Sequence, residues 1–453
     1  MSTLHESASP IGPLAKDWRL ARVEDLTVKV GSGATPTGGK QSYLAERSNF
    51  ALVRSQNVFD RRLAMDGLAF VTDEAAAKLK IVHLQERDVL LNITGDGVTF
   101  ARACLVPRHI LPACVNQHVS ILRTDHRRCD PGFLVSYLVH PLTKKYIESF
   151  NTGGSRRAIT KAHILSFQVP LPPLATQRKI ASALGAYDEL IENNRRRIEI
   201  LEEMARRLYR EWFVQFRFPG HAHVPLTDSP LGKIPKGWEV KTLDELCVQP
   251  NGIQTGPFGS QLHQSDYTDA GIPVVMPKDI IDSRVSVETI ARVPQSICDK
   301  LAKHKLEPGD IVLARRGDIG RRSFVTRRQI GWMCGTGCMR LRPAPSVVLP
   351  RFLFDAVGSP ENIGLIASRA AGAIMPNLNG QVLASIPIVI PPRNVQERYC
   401  GIVEPIFELI AGLFDRNANL QTTRDLLLPR LISGELDVSE LPIEVEEAAR
   451  DDE

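Results

Sequence analysis

The sequence predicts an α+β protein: two similar domains joined by two long helices that pack as an antiparallel coiled coil, with a pseudo-twofold internal repeat. Three observations predict it. The chain of 453 residues repeats itself at an offset of 219–222. Each copy opens with about 150 residues of short apolar runs cut by Gly, Pro, Asn and Asp, the composition of strands and turns. Each copy then closes on Pro-Pro and continues into a long stretch of heptad spacing.

The repeat is carried by ordered matches. Trp18, in Lys-Asp-Trp-Arg-Leu, precedes Asp25-Leu26 as Trp238, in Lys-Gly-Trp-Glu-Val, precedes Glu245-Leu246. Glu86-Arg-Asp88-Val-Leu-Leu matches Pro308-Gly-Asp310-Ile-Val-Leu, and Gly95-Asp96 matches Gly317-Asp318. The Pro172-Pro173 and Pro391-Pro392 pairs match, as do Gln177 with Gln396 and Glu189-Leu190-Ile191 with Glu408-Leu409-Ile410. A period this long exceeds any solenoid unit, so it marks a duplicated domain. The boundaries follow: a first domain at 1–173, a first helix at 174–217, a second domain at 218–392 with a linker at 218–236, a second helix at 393–433, and an acidic tail at 434–453 expected to be disordered.

Proline is tolerated at a helix start and excluded from its interior, so the first helix begins after Pro173. Its seam runs Ile180, Leu184, Tyr187, Ile191, Asn194, Ile198, Leu201, Ala205, Leu208, Trp212, in alternating steps of four and three. The second seam runs Tyr399, Val403, Ile406, Ile410, Leu413, Asn417, Leu420, Arg424, Leu427, Leu431, with Pro405 and Pro429 expected to kink it or trim its ends. Gly434 supplies a stop. Each seam holds one asparagine, and an antiparallel pairing in which residue numbers sum to 611 sets Asn194 against Asn417. Ile180 then faces Leu431, Leu184 faces Leu427, and Tyr187 faces Arg424 in a cation–π pair. A buried Asn pair gives up stability and fixes register. Some 33 residues make a rod of about 50 Å, the dimensions of a spacer between two readers.

Charge narrows the partners. The chain carries a net +5. Residues 438–453 hold seven acids and Arg450, a net of −6, which leaves +11 on residues 1–437. A basic body suits a polyanion. No apolar run is long enough to span a membrane, and the start lacks the basic and apolar regions of a secretory signal, so a cytoplasmic protein is expected. Eight scattered cysteines read as reduced thiols.

No catalytic constellation emerges. Gly31-Ser-Gly33-Ala-Thr-Pro36 lacks the third glycine of a dinucleotide loop, Gly38-Gly39-Lys40 lacks Walker spacing, and the Asn/Asp-Pro-Pro-aromatic signature of amino-methyltransferases is absent. Asp88 and Asp310 occupy equivalent positions in separate copies, which fits a turn before a strand. His221-Ala-His223 has no further ligands, so no metal site is expected. Basic, glycine-rich loops are the better candidates, because cations and backbone N–H groups suit phosphates. They supply Lys40, Ser155, Arg156, Arg157 and Lys161 in the first copy, and Arg315, Arg316, Arg321, Arg322 and Asn377 in the second. Arg54, Gln56, Asn57 and Lys278 are of the residue types that read base edges.

In their duplicated order these motifs resemble the specificity subunits of type I restriction-modification systems. The resemblance rests on Gly237-Trp238, Leu-Glu-Pro-Gly-Asp310-Ile-Val-Leu, the two Pro-Pro stretches leading to Gln177 and Gln396, Leu208-Tyr-Arg-Glu-Trp-Phe213, and Leu427-Leu-Pro-Arg-Leu-Ile-Ser-Gly-Glu-Leu436. It covers roughly residues 14–437. It implies two target-recognition domains, each reading half of a bipartite asymmetric DNA site, and a helical spacer that fixes the gap. It implies two methylation subunits and restriction subunits as partners. No catalysis is expected from this chain, and S-adenosylmethionine, ATP and Mg are expected on the partners. Asp17-Trp18 and Glu-Arg-Asp88 depart from the pattern in the first copy, and the second lacks Gly153-Gly-Ser155. The competing readings are a coiled-coil adaptor between proteins, and a fused DNA methyltransferase or nuclease whose cofactor motif is missing.

Overall fold

The computed structural model describes residues 4–5, 9–36, 43–44, 46–47, 49–154, 156–318, 320–370 and 378–443. The fold is α+β. The chain divides into two compact units, Met1–Arg196 with Leu413–Glu453, and Arg197–Gly412. The sequence boundaries set the two long helices apart from the globules. Contacts instead divide both helices, so that each unit owns one globule and a half of each.

In the first unit an antiparallel sheet runs in the order Ala103–Leu105, Val89–Asn92, Val119–Thr124, Thr27–Ser32. A second sheet runs Ala113–Val115, Phe50–Val53, Ala69–Val71, its first pair parallel. Successive strand side chains point to opposite faces. Val89, Leu91 and Leu122 therefore enter one core with Phe133, Leu134 and Tyr137, while Leu90 and Ile121 enter another with Leu52 and Val71. Burial on both faces explains why these strands read as unbroken apolar runs. The second unit repeats the plan, with sheets ordered Ile253–Thr255, Cys338–Leu341, Ile311–Ala314, Arg322–Phe324 and Ala291–Val293, Ile272–Val275, Met333–Cys334. Ile311 and Leu313 face one core, and Val312 faces the other.

Each globule closes by pairing an early strand with the segment before the long helix: Arg19–Arg22 with Gln168–Leu171, and Glu239–Thr242 with Pro387–Ile390. Helix α1 then spans Leu174–Tyr209 and α2 spans Arg393–Ile432. Neither Pro405 nor Pro429 trims α2, which runs through both. Tertiary burial on either side, at Val403, Leu428 and Leu431, outweighs the lost N–H bonds.

Within the first unit the helices are antiparallel. Asn194 Nδ2 donates to Asn417 Oδ1 at 2.8 Å, and Asn417 Nδ2 donates to the Ile191 carbonyl at 3.3 Å. Both amides are buried. Ile180, Leu184, Leu428 and Leu431 sink into the core of the first globule. Arg424 departs from the expected stack on Tyr187: its guanidinium bonds Asp188 Oδ1 at 2.6 Å, since a carboxylate within reach attracts it more strongly than a ring quadrupole. In the second unit Ala205, Tyr209, Trp212, Tyr399 and Val403 join the core of the second globule.

Gly434 ends α2 with φ +76°, and a side chain there would press on Ala15 and Trp18. The expectation of disorder from 434 onward fails for residues 434–443. Val438 is buried, Leu436 N–H bonds the Arg430 carbonyl, and Lys179 donates to the Leu441 carbonyl. The apolar Leu436, Val438 and Ile443 give this stretch a reason to dock. Residues 444–453, with most of the acids, lie outside the described residues.

Candidate nucleic-acid interface

The two copies share a frame. Asp88 accepts the Gln85 N–H at 2.8 Å, closing the turn predicted at that position. It also receives a two-pronged Arg123 at 2.7 and 2.8 Å. Asp310 does the same with the Glu307 N–H at 2.8 Å and Arg342 at 2.8 and 2.9 Å. Both carboxylates are buried, and the paired fork is the strong geometry for such a site. Gln177 and Gln396 form a second matched pair. Each amide oxygen accepts a backbone N–H, from Asp130 and Leu349, and each Nε2 donates to the carbonyl of the first proline of Pro-Pro. The arginine partners escaped the sequence reading, although Arg123 and Arg342 lie at the repeat offset.

Loops at the strand ends form an exposed rim on each unit. In the first, Gly33 N–H bonds the Asn116 carbonyl, and a side chain at Gly33 would strike the Val115 carbonyl. That close approach sets Thr35 beside Gln117, to whose Oε1 its hydroxyl donates. Gln117 Nε2 lies 3.3 Å from His118 Nε2, and His118 Nδ1 lies 2.6 Å from Thr94 Oγ1. Burial and the charge of Arg156 lower the proton affinity of His118. In the second unit Gly256 makes the same close approach, to the Gly335 carbonyl. The rim there differs: Phe258 is 54% exposed, Arg315 lies 5.8 Å from its ring centroid, and Thr336 donates to the Pro257 carbonyl.

The candidate residues separate by position. Arg156, Lys161 and Arg316 are exposed. Arg321 is exposed and pairs with Asp318 at 3.2 Å, and Lys278 reaches the Thr289 carbonyl at 3.3 Å. Arg157 pairs with Glu148. Gln56 is exposed beside the Gly67 carbonyl, to which Arg54 donates at 2.6 Å. Two candidates are structural. Asn57 is fully buried, donating to the Ala64 and Asp66 carbonyls and accepting the Arg54 N–H. Arg322 turns inward, bonding the Phe354 carbonyl at 3.2 Å and stacking 4.7 Å from the Phe354 ring, and burial lowers its proton affinity. Lys40, Ser155 and Asn377 lie outside the described residues. Among the described residues no cluster could hold a metal ion. All eight cysteines are free and buried, with Cys114, Cys247 and Cys334 pushed up to about 12 by burial. No helix among the described residues is long and apolar enough to cross a membrane.

The family model described as type I restriction modification DNA specificity domain matches twice, at residues 46–203 and 235–420. The chain belongs to that family. Each match contains one Asp–Arg fork and one glutamine brace, so the specificity domain is the repeated unit; Gly33 and Thr35 of the first rim precede the first match. The chain is 24% identical over 95% of its length to the type I restriction enzyme MjaIX specificity subunit of Methanocaldococcus jannaschii, covering 96% of that protein. It is 23% identical to the MjaVIII specificity subunit of the same organism, over 94% of both. The crystal structure of a type I restriction-modification S subunit from M. genitalium superposes with a TM-score of 0.57 at 15% identity, covering 93% of this chain and 98% of that one. That likeness establishes a shared fold.

Proposed function

We propose that this chain is the DNA-recognition subunit of a type I restriction-modification complex. Each specificity domain reads one half of a bipartite, asymmetric duplex site, and the paired helices set the gap between the halves. The chain forms no covalent bond with substrate. It positions two methylation subunits and the restriction subunits, which carry S-adenosylmethionine, ATP and Mg, and it acts in the cytoplasm. The observation that carries this reading is the contrast between copies. The Asp–Arg fork and the glutamine brace are kept, while the exposed rims present different chemistry, as two unlike half-sites require. Exposed cations such as Arg156, Lys161 and Arg316 supply phosphate contacts, which hold position and carry no sequence information.

Mapping methylated adenines genome-wide in the host, with and without this gene, tests the reading. Loss of one bipartite asymmetric motif on deletion is expected. Retention of every motif would overturn it.

A further inference from the structure

The first rim contains a side-chain amide whose orientation is fixed before any ligand arrives. Gln117 is exposed, yet both ends of its amide are engaged. Oε1 accepts the Thr35 hydroxyl, and Nε2 donates to His118 Nε2 at 3.3 Å. His118 is held in turn through Nδ1 by Thr94 Oγ1 at 2.6 Å. An amide nitrogen only donates, so His118 Nε2 accepts from it, and Nδ1 then carries the proton and donates to Thr94 Oγ1; burial and Arg156 lower the proton affinity of the ring in the same sense. An amide has two acceptor lone pairs and two N–H donors. These contacts use one of each, leaving one acceptor and one donor on an exposed, oriented group. A glutamine with a free acceptor and a free donor is the two-pronged partner of adenine, accepting from N6–H and donating to N7. Rigid support of this kind separates a reading side chain from a solvated one. The second copy has no such device at the matching place, where Gly335-Thr336-Gly337 and Phe258 stand.

We propose that Gln117 is the residue with which the first specificity domain reads an adenine in its half-site, with Thr35 and His118 as positioning residues. The proposal rests on the two-half-site reading above and adds to it the base, the groove edge and the side chain.

The test uses the assembled complex with full-length chain. In cells, Gln117→Ala is expected to relax one adenine position of one half-site, leaving the other half-site and the gap unchanged. In binding competition, duplexes carrying 7-deazaadenine or purine at that position are expected to bind the wild type about 10-fold or more weakly, and Gln117→Ala equally well. His118→Phe, which removes the Nε2 acceptor, is expected to relax the same position. Arg156→Ala is expected to weaken binding to all sequences evenly. An unchanged motif with Gln117→Ala would overturn the proposal and leave the two-half-site reading intact, as would a first half-site without a required adenine. A wild-type chain that directs no bipartite motif would overturn the reading itself. Gln117 is exposed at a loop tip, so folding of its variants is checked simply by their continued methylation of the second half-site.

Discussion

The two globules are joined to the helices by different chemistry at matching places. In the first unit the hairpin of Val58–Phe59 and Arg62–Leu63 turns through Arg61 at φ +62°. Arg61 Nε bonds Asp188 Oδ2 at 2.7 Å, Nη1 bonds Ser136 Oγ at 2.9 Å, and the other oxygen of Asp188 receives Arg424. One carboxylate on α1 thus binds the globule and α2 together. The strained left-handed turn is held in place by these bonds. At the repeat offset the second unit has Ser283 for Arg61, Phe407 for Asp188 and Asp355 for Ser136. Its buried cation is Arg351, 3.9 Å from the Phe407 ring centroid and 4.0 Å from that of Phe324. Asp355 accepts the Tyr399 hydroxyl at 2.9 Å. Burial lowers the proton affinity of Arg351 and raises that of Asp355. One backbone join therefore accepts either a bridging carboxylate or a ring sandwich.

The largest expected effect breaks the first join alone. Asp188→Ala strands Arg61, whose side chain is 7% exposed, next to a second cation. Removing one partner of a buried pair costs about 3–5 kcal/mol. Hydrogen exchange should show faster opening around Leu184 and Leu428, with the Tyr209–Tyr399 region unchanged. Equal loosening of both regions would remove the distinction between the joins.

Acid should single out the second unit at one position. His304 is 1% exposed, and its pKa is lowered to about 4 by burial, with Lys303 and Arg340 adding to the shift. A group whose folded value lies below its unfolded 6.5 gives stability that is complete above pH 6.5 and lost as pH falls toward 4. The loss amounts to about 3 kcal/mol. The first copy has Val82 in this place. His304→Val should flatten that part of the pH-stability curve of the second unit between pH 6.5 and 4. An unaltered slope would assign the acid sensitivity elsewhere.

The smallest effect sharpens the role of the paired asparagines. Asn194→Leu leaves Asn417 one bond short in a buried layer, a loss of about 1–2 kcal/mol. The Asn194→Leu, Asn417→Leu double variant should regain or exceed wild-type stability, because apolar groups then fill both places. Thermal unfolding of the three variants decides this, and a double variant less stable than either single one would contradict it.

Much of the frame was legible in the sequence, because period and offset carry it. The Pro-Pro boundaries, the heptad seams and the Asp88 and Asp310 turns all follow from spacing. The antiparallel register set the start of one helix against the end of the other, but not the core that each end enters. A seam position shows that a face is buried and does not show which core buries it: Leu431 enters the first globule and Val403 the second. Composition misled at the rim. Asn57 and Arg322 have the residue types of DNA contacts, but one braces a turn and the other lies against Phe354. Gln117 and His118 went unnoticed because nothing in their local sequence is basic or glycine-rich. Their significance comes from Thr35 and Thr94, which only the fold brings near.

In the proposed function two readers share one frame, and the helices set the distance between their half-sites. Inserting one heptad into each helix, after Arg197 and after Leu413, preserves both seams and adds about 10 Å, or about three base pairs. Methylation mapping of cells carrying this variant should return both half-sites unaltered with a longer gap. An unchanged gap, or altered half-sites, would contradict the account.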